Sequence, residues 1–211
     1  MTNPWLQVPL GDYEGHMTSP AVKQLAALAE LFAIALGRCA PTSMAILGIA
    51  GGNGLEHING TVIRRVVGID INPDYLEAVR QRYAHLLGLE LHCADLASDR
   101  LTIEPLALVH AALVFEHAGV GLSLENALNL VAQGGAFSVV LQLPGNEPAV
   151  GDSGFQTIQT LSADFVMIDP TWFRLELESR GFRLTFEMRK SLVSGKAFWM
   201  GIFARELPVS C

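Results

Sequence analysis

Three groups of residues in this chain have the types and spacing to do chemistry. The first is a run of small residues, Gly48, Ala50, Gly51, Gly52 and Gly54, interrupted by Asn53, directly after an apolar segment. Glycine lets backbone pass close to a ligand where any Cβ would collide. The second group is two carboxylates, Asp70 and Asp95, each placed just after a later apolar run (66–69 and 89–93). A carboxylate at such a tip can accept hydrogen bonds from a ribose diol or an amino group. The third is a set of polar rings and acids able to move protons, His117 with Glu116, and Tyr13 with His16.

The glycine spacing narrows the ligand. A dinucleotide fingerprint, G-x-G-x-x-G, would need glycine at His57 or Leu55, so neither frame fits. No G-x-x-x-x-G-K-[ST] phosphate loop is present. What fits is Ala50-x-Gly52-x-Gly54. The six histidines (His16, His57, His85, His92, His110, His117) show no paired metal-ligand spacing, so no metal is expected.

The elements that must position these groups alternate. Apolar runs 44–49, 66–71, 89–93, 106–115 and 136–143 read as strands, the fourth so apolar that it belongs at the sheet centre. Ser19-Pro20 predicts a helix start, with Leu25, Leu28, Leu31 and Phe32 at helical spacing and Gly37 as its stop. Further helices are expected from about Leu55, from Asn72-Pro73-Asp74 to Gly88, over 123–132, and from Asp169-Pro170 to about Arg180. Residues 1–18 read as irregular, and Gly134-Gly135 as a break. Phe182, Leu184, Phe186 and Met188 then alternate with polar residues, and Ser194-Gly195-Lys196 turns the chain into the apolar run 197–204. The expected fold is α/β: a Rossmann-like, doubly wound, mostly parallel seven-stranded sheet, with an antiparallel C-terminal strand and helices on both faces.

With these elements in place the chain resembles the class I S-adenosylmethionine-dependent methyltransferases over roughly residues 44–204. The stretch Ala45-Ile46-Leu47-Gly48-Ile49-Ala50-Gly51-Gly52-Asn53-Gly54 is the counterpart of that family's hLDhGxGxG loop. Two positions depart from the pattern: the family's acid is Gly48 here, and its first loop glycine is Ala50. The resemblance implies S-adenosyl-L-methionine as cofactor and S-adenosyl-L-homocysteine as product. It places the ribose on Asp70 beside Ile71, and the adenine amino group on Asp95 beside Leu96. The segment Val114-Phe115-Glu116-His117 would border donor and acceptor, making Phe115 a cofactor contact and Glu116 and His117 substrate contacts; should the acceptor have to lose a proton early, His117 or His16 is the candidate general base. Asp12-Tyr13-Glu14-Gly15-His16-Met17 resembles a segment that covers the donor in some small-molecule methyltransferases, which would bring Tyr13 and His16 to the acceptor. The expected organisation is an N-terminal segment and helix (1–43) covering the cofactor site and a methyltransferase-like domain (44–211); residues 145–168, between the fifth strand and the Asp169 helix, would lie over the strand C-termini as a lid insertion carrying Phe155, Phe165 and Met167.

Plainer readings stand beside these. Gly52 and Gly54 could serve a tight turn without ligand, Asp95 could cap a helix, and Glu116–His117 could be a helix-start pair. The insertion could pack its own small core. Three functions follow: a methyltransferase with an unidentified small-molecule acceptor, an NAD(P)-dependent oxidoreductase, or a catalytically degenerate donor-binding domain. A net charge of −7 argues against a nucleic-acid partner. No segment is apolar and long enough to span a bilayer, and the start lacks a signal-peptide pattern. The three cysteines, Cys39, Cys93 and Cys211, are scattered and read as reduced thiols. The expectation is a cytoplasmic monomer or homodimer.

Overall fold

The structure, a computed structural model, describes residues 3–207. Cys211 lies outside the described residues, and Cys39 and Cys93 are free thiols. The chain opens with a 3₁₀ turn, Pro4–Gln7, then α1 (Leu10–Thr18) and α2 (Leu25–Cys39). The alternating body follows as β1 (Ser43–Leu47), β2 (Arg65–Asp70), α3 (Pro73–Arg82), β3 (Leu89–Cys93), β4 (Leu106–Ala112), α4 (Phe115–Ala118), α5 (Leu122–Asn129) and β5 (Val131–Gln142). After α6 (Gln156–Gln159) come α7 (Pro170–Ser179) and the hairpin β6 (Phe182–Ser191) and β7 (Ala197–Arg205).

The seven strands form one sheet in the order β3-β2-β1-β4-β5-β7-β6. The first five pair in parallel, and β7 runs antiparallel to both β5 and β6. β4 is the central strand, as its apolar sequence predicts. Each inner strand feeds two cores. Ala45 and Leu47 join Val109, Phe137, Phe173 and Phe203 on one face. Met44 and Ile46 join Leu31, Phe32, Val79 and Met200 on the other. Burial on both faces explains why these strands read as continuous apolar runs.

α3 and α7 begin as their sequences predict. The Asn72 side chain accepts from Asp74 N and that of Asp169 from Thr171 N, each followed by proline at the first helical position. α3 stops at Arg82, short of Gly88.

Four expectations are corrected. Residues 3–18 are mostly helical, not irregular. Ser19-Pro20 makes a turn instead of a helix start: the Ser19 carbonyl accepts from Val22 N and Lys23 N, and Lys23 takes a positive φ of 48°. α2 therefore begins at Leu25, runs past Gly37, and ends where Ala40 turns left-handed. No α-helix follows the glycine loop, only a 3₁₀ turn, Leu55–His57. There the Glu56 carboxylate folds back onto Gly54 N at 2.9 Å, and Thr61 N bonds the Asn59 side chain at 3.0 Å. These local bonds satisfy the backbone without a helix. Finally, Gly134-Gly135 is no break, because β5 already starts at Val131, and the irregularity is a register shift between Leu106 and Leu108.

In β6 a bulge between Leu184 and Phe186 divides the alternating residues. Phe182 and Leu184 pack on the α7 side, whereas Phe186 and Met188 pack on the α2 side. One extra residue reverses the face of everything beyond it.

Candidate active site

A cavity of about 180 Å³ opens at the C-terminal ends of β1, β2 and β4, where open α/β sheets place ligands. Its floor is Gly48 and Ala50 after β1, Asp70 and Ile71 after β2, and Asp95 and Leu96 after β3. Val114 and His117, after β4, form one wall. Trp5, Tyr13 and His16 come over it from the N-terminal segment, and Val150, Ile158, Leu161 and Phe165 from the insertion.

Asp70 is the best-defined polar group there. Its carboxylate is 7% exposed. One oxygen accepts from Ala50 N at 2.8 Å and the other from Asn72 N at 2.9 Å. Burial pushes its carboxyl above the usual range, while backbone N–H groups of Asn72, Ala50 and Ile71 pull it back. Asp70 thus ties the β1 loop to the β2 tip. Asp95 accepts from Ala97 N at 2.9 Å and from the Asn3 side chain at 3.4 Å.

The glycine loop divides into two parts. Gly48 and Ala50 line the cavity, whereas Gly51, Gly52, Asn53 and Gly54 do not. A Cβ on Gly52 would sit 2.6 Å from the Tyr83 ring, and one on Gly54 would sit 2.9 Å from Phe32. Both have positive φ. Their smallness is required by the packing of the turn itself. Asn53 uses its amide to bond the Leu25 carbonyl at 3.0 Å.

The segment after β4 also divides. β4 ends at Ala112, and Leu113 takes a φ of 56°, so the chain turns into α4 earlier than its apolar sequence suggests. Phe115 consequently packs into the core against Phe173, ring centroids 5.4 Å apart, and does not reach the cavity. Glu116 is 1% exposed and turns away as well, accepting from Gln142 N at 2.8 Å with one oxygen while the other has no partner. Burial pushes its carboxyl up to about 7. His117 alone of the three faces the cavity. Its ring stands edge-on to Trp5 (5.0 Å) and Phe165 (5.2 Å), its Nδ1 is buried without a partner, and burial lowers its pKa to about 4.

Tyr13 and His16 both line the cavity. Burial and the nearby Asp70 charge raise the Tyr13 hydroxyl pKa. His16 Nδ1 lies 2.6 Å from Ser153 Oγ, and burial, then Lys196, lower its pKa to about 4. The covering segments are tied down by specific bonds. The Asn72 amide reaches the Trp5 carbonyl at 3.0 Å, Tyr75 OH the Val8 carbonyl at 3.0 Å, and Thr157 Oγ1 the Asp12 carboxylate at 2.6 Å. Glu14 pairs with Arg82. Phe155 packs with Val8, Ile158 and Leu161 in a small third cluster, whereas Met167 is exposed.

Sequence reasoning missed Asn3, Trp5, Gln24 and Gln142. The two glutamines are buried, 3% and 4% exposed, and linked, Gln24 Nε2 donating to Gln142 Oε1 at 3.4 Å. A glutamine ending the apolar run of β5 was the available signal. Among the described residues, no group of three or more His, Cys, Asp or Glu is placed to hold a metal, and no helix is long and apolar enough to cross a membrane.

No family model matches the sequence, and no curated protein matches it. Solved structures do match along most of the chain. The N-methyltransferase NodS from Bradyrhizobium japonicum WM9, in complex with S-adenosyl-L-homocysteine, is 14% identical over 89% of this chain and 88% of its own, with a TM-score of 0.65. Magnesium protoporphyrin IX methyltransferase (ChlM) from Synechocystis PCC 6803, with the same ligand bound, is 13% identical over 87% and 83%, with a TM-score of 0.61. The [4+2]-cyclase SpnF is 10% identical over 86% and 82%, with a TM-score of 0.65. At these identities the likeness is one of fold, and the cyclase shows that the fold alone does not fix the reaction. Strand order, the antiparallel β7 and these likenesses agree: the chain has the class I methyltransferase fold.

Proposed function

We propose that this chain is an S-adenosylmethionine-dependent methyltransferase acting on a small-molecule acceptor. The observation that carries this reading is the buried Asp70 carboxylate, which opens on one cavity with Asp95, Gly48, Ala50 and His117. Backbone N–H groups of Ala50, Asn72 and Ile71 face the Asp70 carboxylate, whose two oxygens together offer about four acceptor sites, so one is left for a ribose hydroxyl. Asp95 would take the adenine amino group, with Ile71 and Leu96 giving apolar contact to the nucleoside. The residues present therefore fit an adenosine group.

When bound, the cofactor supplies a methyl group already activated on a sulfonium centre. The protein's part is then positioning and exclusion of water, effects worth up to ~7–11 kcal/mol in well-oriented reactions. Trp5, Tyr13 and Phe165 cover the cavity, so the N-terminal segment (1–43) and the insertion (145–168) act as its cover in this reading. His117, neutral at physiological pH, presents an acceptor nitrogen that could take a proton from an acceptor nucleophile, a role typically worth ~10²–10⁴-fold.

Isothermal calorimetry with S-adenosylhomocysteine and with NADH tests the reading. Saturable binding of the former is expected; binding of NADH with no response to S-adenosylhomocysteine would overturn it in favour of an oxidoreductase. Replacing His117 by phenylalanine should leave the dissociation constant for S-adenosylhomocysteine within about threefold and lower methyl transfer, followed from labelled donor, by ~10²–10⁴-fold. Undiminished transfer would remove His117 from the chemistry.

A further inference from the structure

Charge in the cavity is confined to one end. Its carboxylates, Asp70 and Asp95, lie after β2 and β3, and among the described lining residues there is no lysine or arginine. The other end, around Gly48, is bounded by the amides of Gln24 and Gln142 and by the backbone of Ala149. Charged side chains come near without lining the cavity, and Glu14 and Arg82, against Gly51, pair with each other. Lys196 is 5% exposed and donates to the Ala149 carbonyl at 2.6 Å, and Glu116 is turned to Gln142 N. Nor does the end of β1 leave easy room for an acid at the next position. Gly48 has a φ of +64°, and a Cβ there would lie 2.9 Å from Val114 Cγ2.

S-adenosylhomocysteine is a neutral nucleoside thioether joined to a zwitterionic amino acid. A buried ammonium or carboxylate costs several kcal/mol unless paired and hydrogen-bonded. The nucleoside end meets matched groups here, whereas the zwitterion meets only neutral amides, rings and backbone. On the methyl-donor reading given above, we infer that the site draws its affinity from the 5′-thioadenosine part and gains little from the amino-acid end. A 5′-thioadenosine without that end is then a ligand in its own right.

Calorimetry on the full chain with S-adenosylhomocysteine and with 5′-methylthioadenosine decides this. Dissociation constants within tenfold of each other are expected, and the ratio should stay within threefold in Asp70→Asn, whose contact both ligands share. A loss of more than tenfold for 5′-methylthioadenosine in the wild-type protein would overturn the inference while leaving the donor reading intact. So would an Asp70→Asn effect on S-adenosylhomocysteine alone. If neither compound binds, the donor reading itself fails.

Discussion

Replacing Asp70 by asparagine is expected to weaken S-adenosylhomocysteine binding by ~10–100-fold. Hydrogen bonds to a charged group contribute ~1.5–3 kcal/mol each, and ~1.4 kcal/mol is tenfold in affinity. Two consequences add. Ribose hydroxyls lose a charged acceptor, and the new amide NH₂ must face one of two backbone donors, Ala50 N or Asn72 N, that the carboxylate now satisfies. The loop after β1 is thereby loosened at the point where it meets the cavity. Calorimetry gives the binding loss, and thermal unfolding without ligand separates it from any loss of fold. Asp95→Asn is the control. Asp95 is half-buried, so its replacement should cost less than about tenfold. An unchanged dissociation constant in Asp70→Asn would place the nucleoside elsewhere.

Glu116→Gln is expected to stabilise the protein at pH 8 by about 3 kcal/mol relative to wild type, and to have little effect at pH 4.5. The Glu116 carboxyl holds its proton up to about 7 in the fold, against an ordinary value of 4.5, because burial penalises its charged form. Between those pH values the folded state binds more protons than the unfolded one, so wild-type stability falls as pH rises. The difference amounts to about 3 kcal/mol once both states are ionised. Glutamine keeps the acceptor that meets Gln142 N and carries no charge. His110 and His117, both lowered to about 4 by burial, act with the opposite sign: the folded state resists their protonation, so stability falls as pH drops below 6.5. Both proteins carry those histidines, so their effect cancels in the difference. Denaturant unfolding of the two proteins from pH 4.5 to 8 measures it; a pH-independent difference would show that Glu116 is not the buried titrating group.

Side by side in sequence, Glu116 and His117 show how one backbone turn assigns roles. Leu113 bends the chain so that Phe115 and Glu116 return to the interior and His117 meets the cavity. In sequence the three are equivalent members of a polar-aromatic segment after an apolar strand.

Much of the fold was legible because its signals are local or periodic. Apolar runs, proline-capped helix starts and the C-terminal alternation determined the α/β alternation, the central place of β4 and the antiparallel hairpin. Asp70 was legible for the same reason: a carboxylate closing an apolar run must sit at a strand tip. What the sequence could not decide lies in local turn and bulge conformations and in partners distant along the chain. The Ser19-Pro20 signal yields to a turn fixed by Lys23, and the bulge in β6 exchanges the faces of Phe186 and Met188. The closeness of Gly52 to Tyr83 and of Gly54 to Phe32 arises only in the folded chain. Gln24 and Gln142, 118 positions apart, become one end of the cavity only when the start of α2 meets the end of β5. Short-range backbone preferences set the order of elements; which side chains share a cavity was decided by long-range packing, whose energy no single stretch of sequence contains.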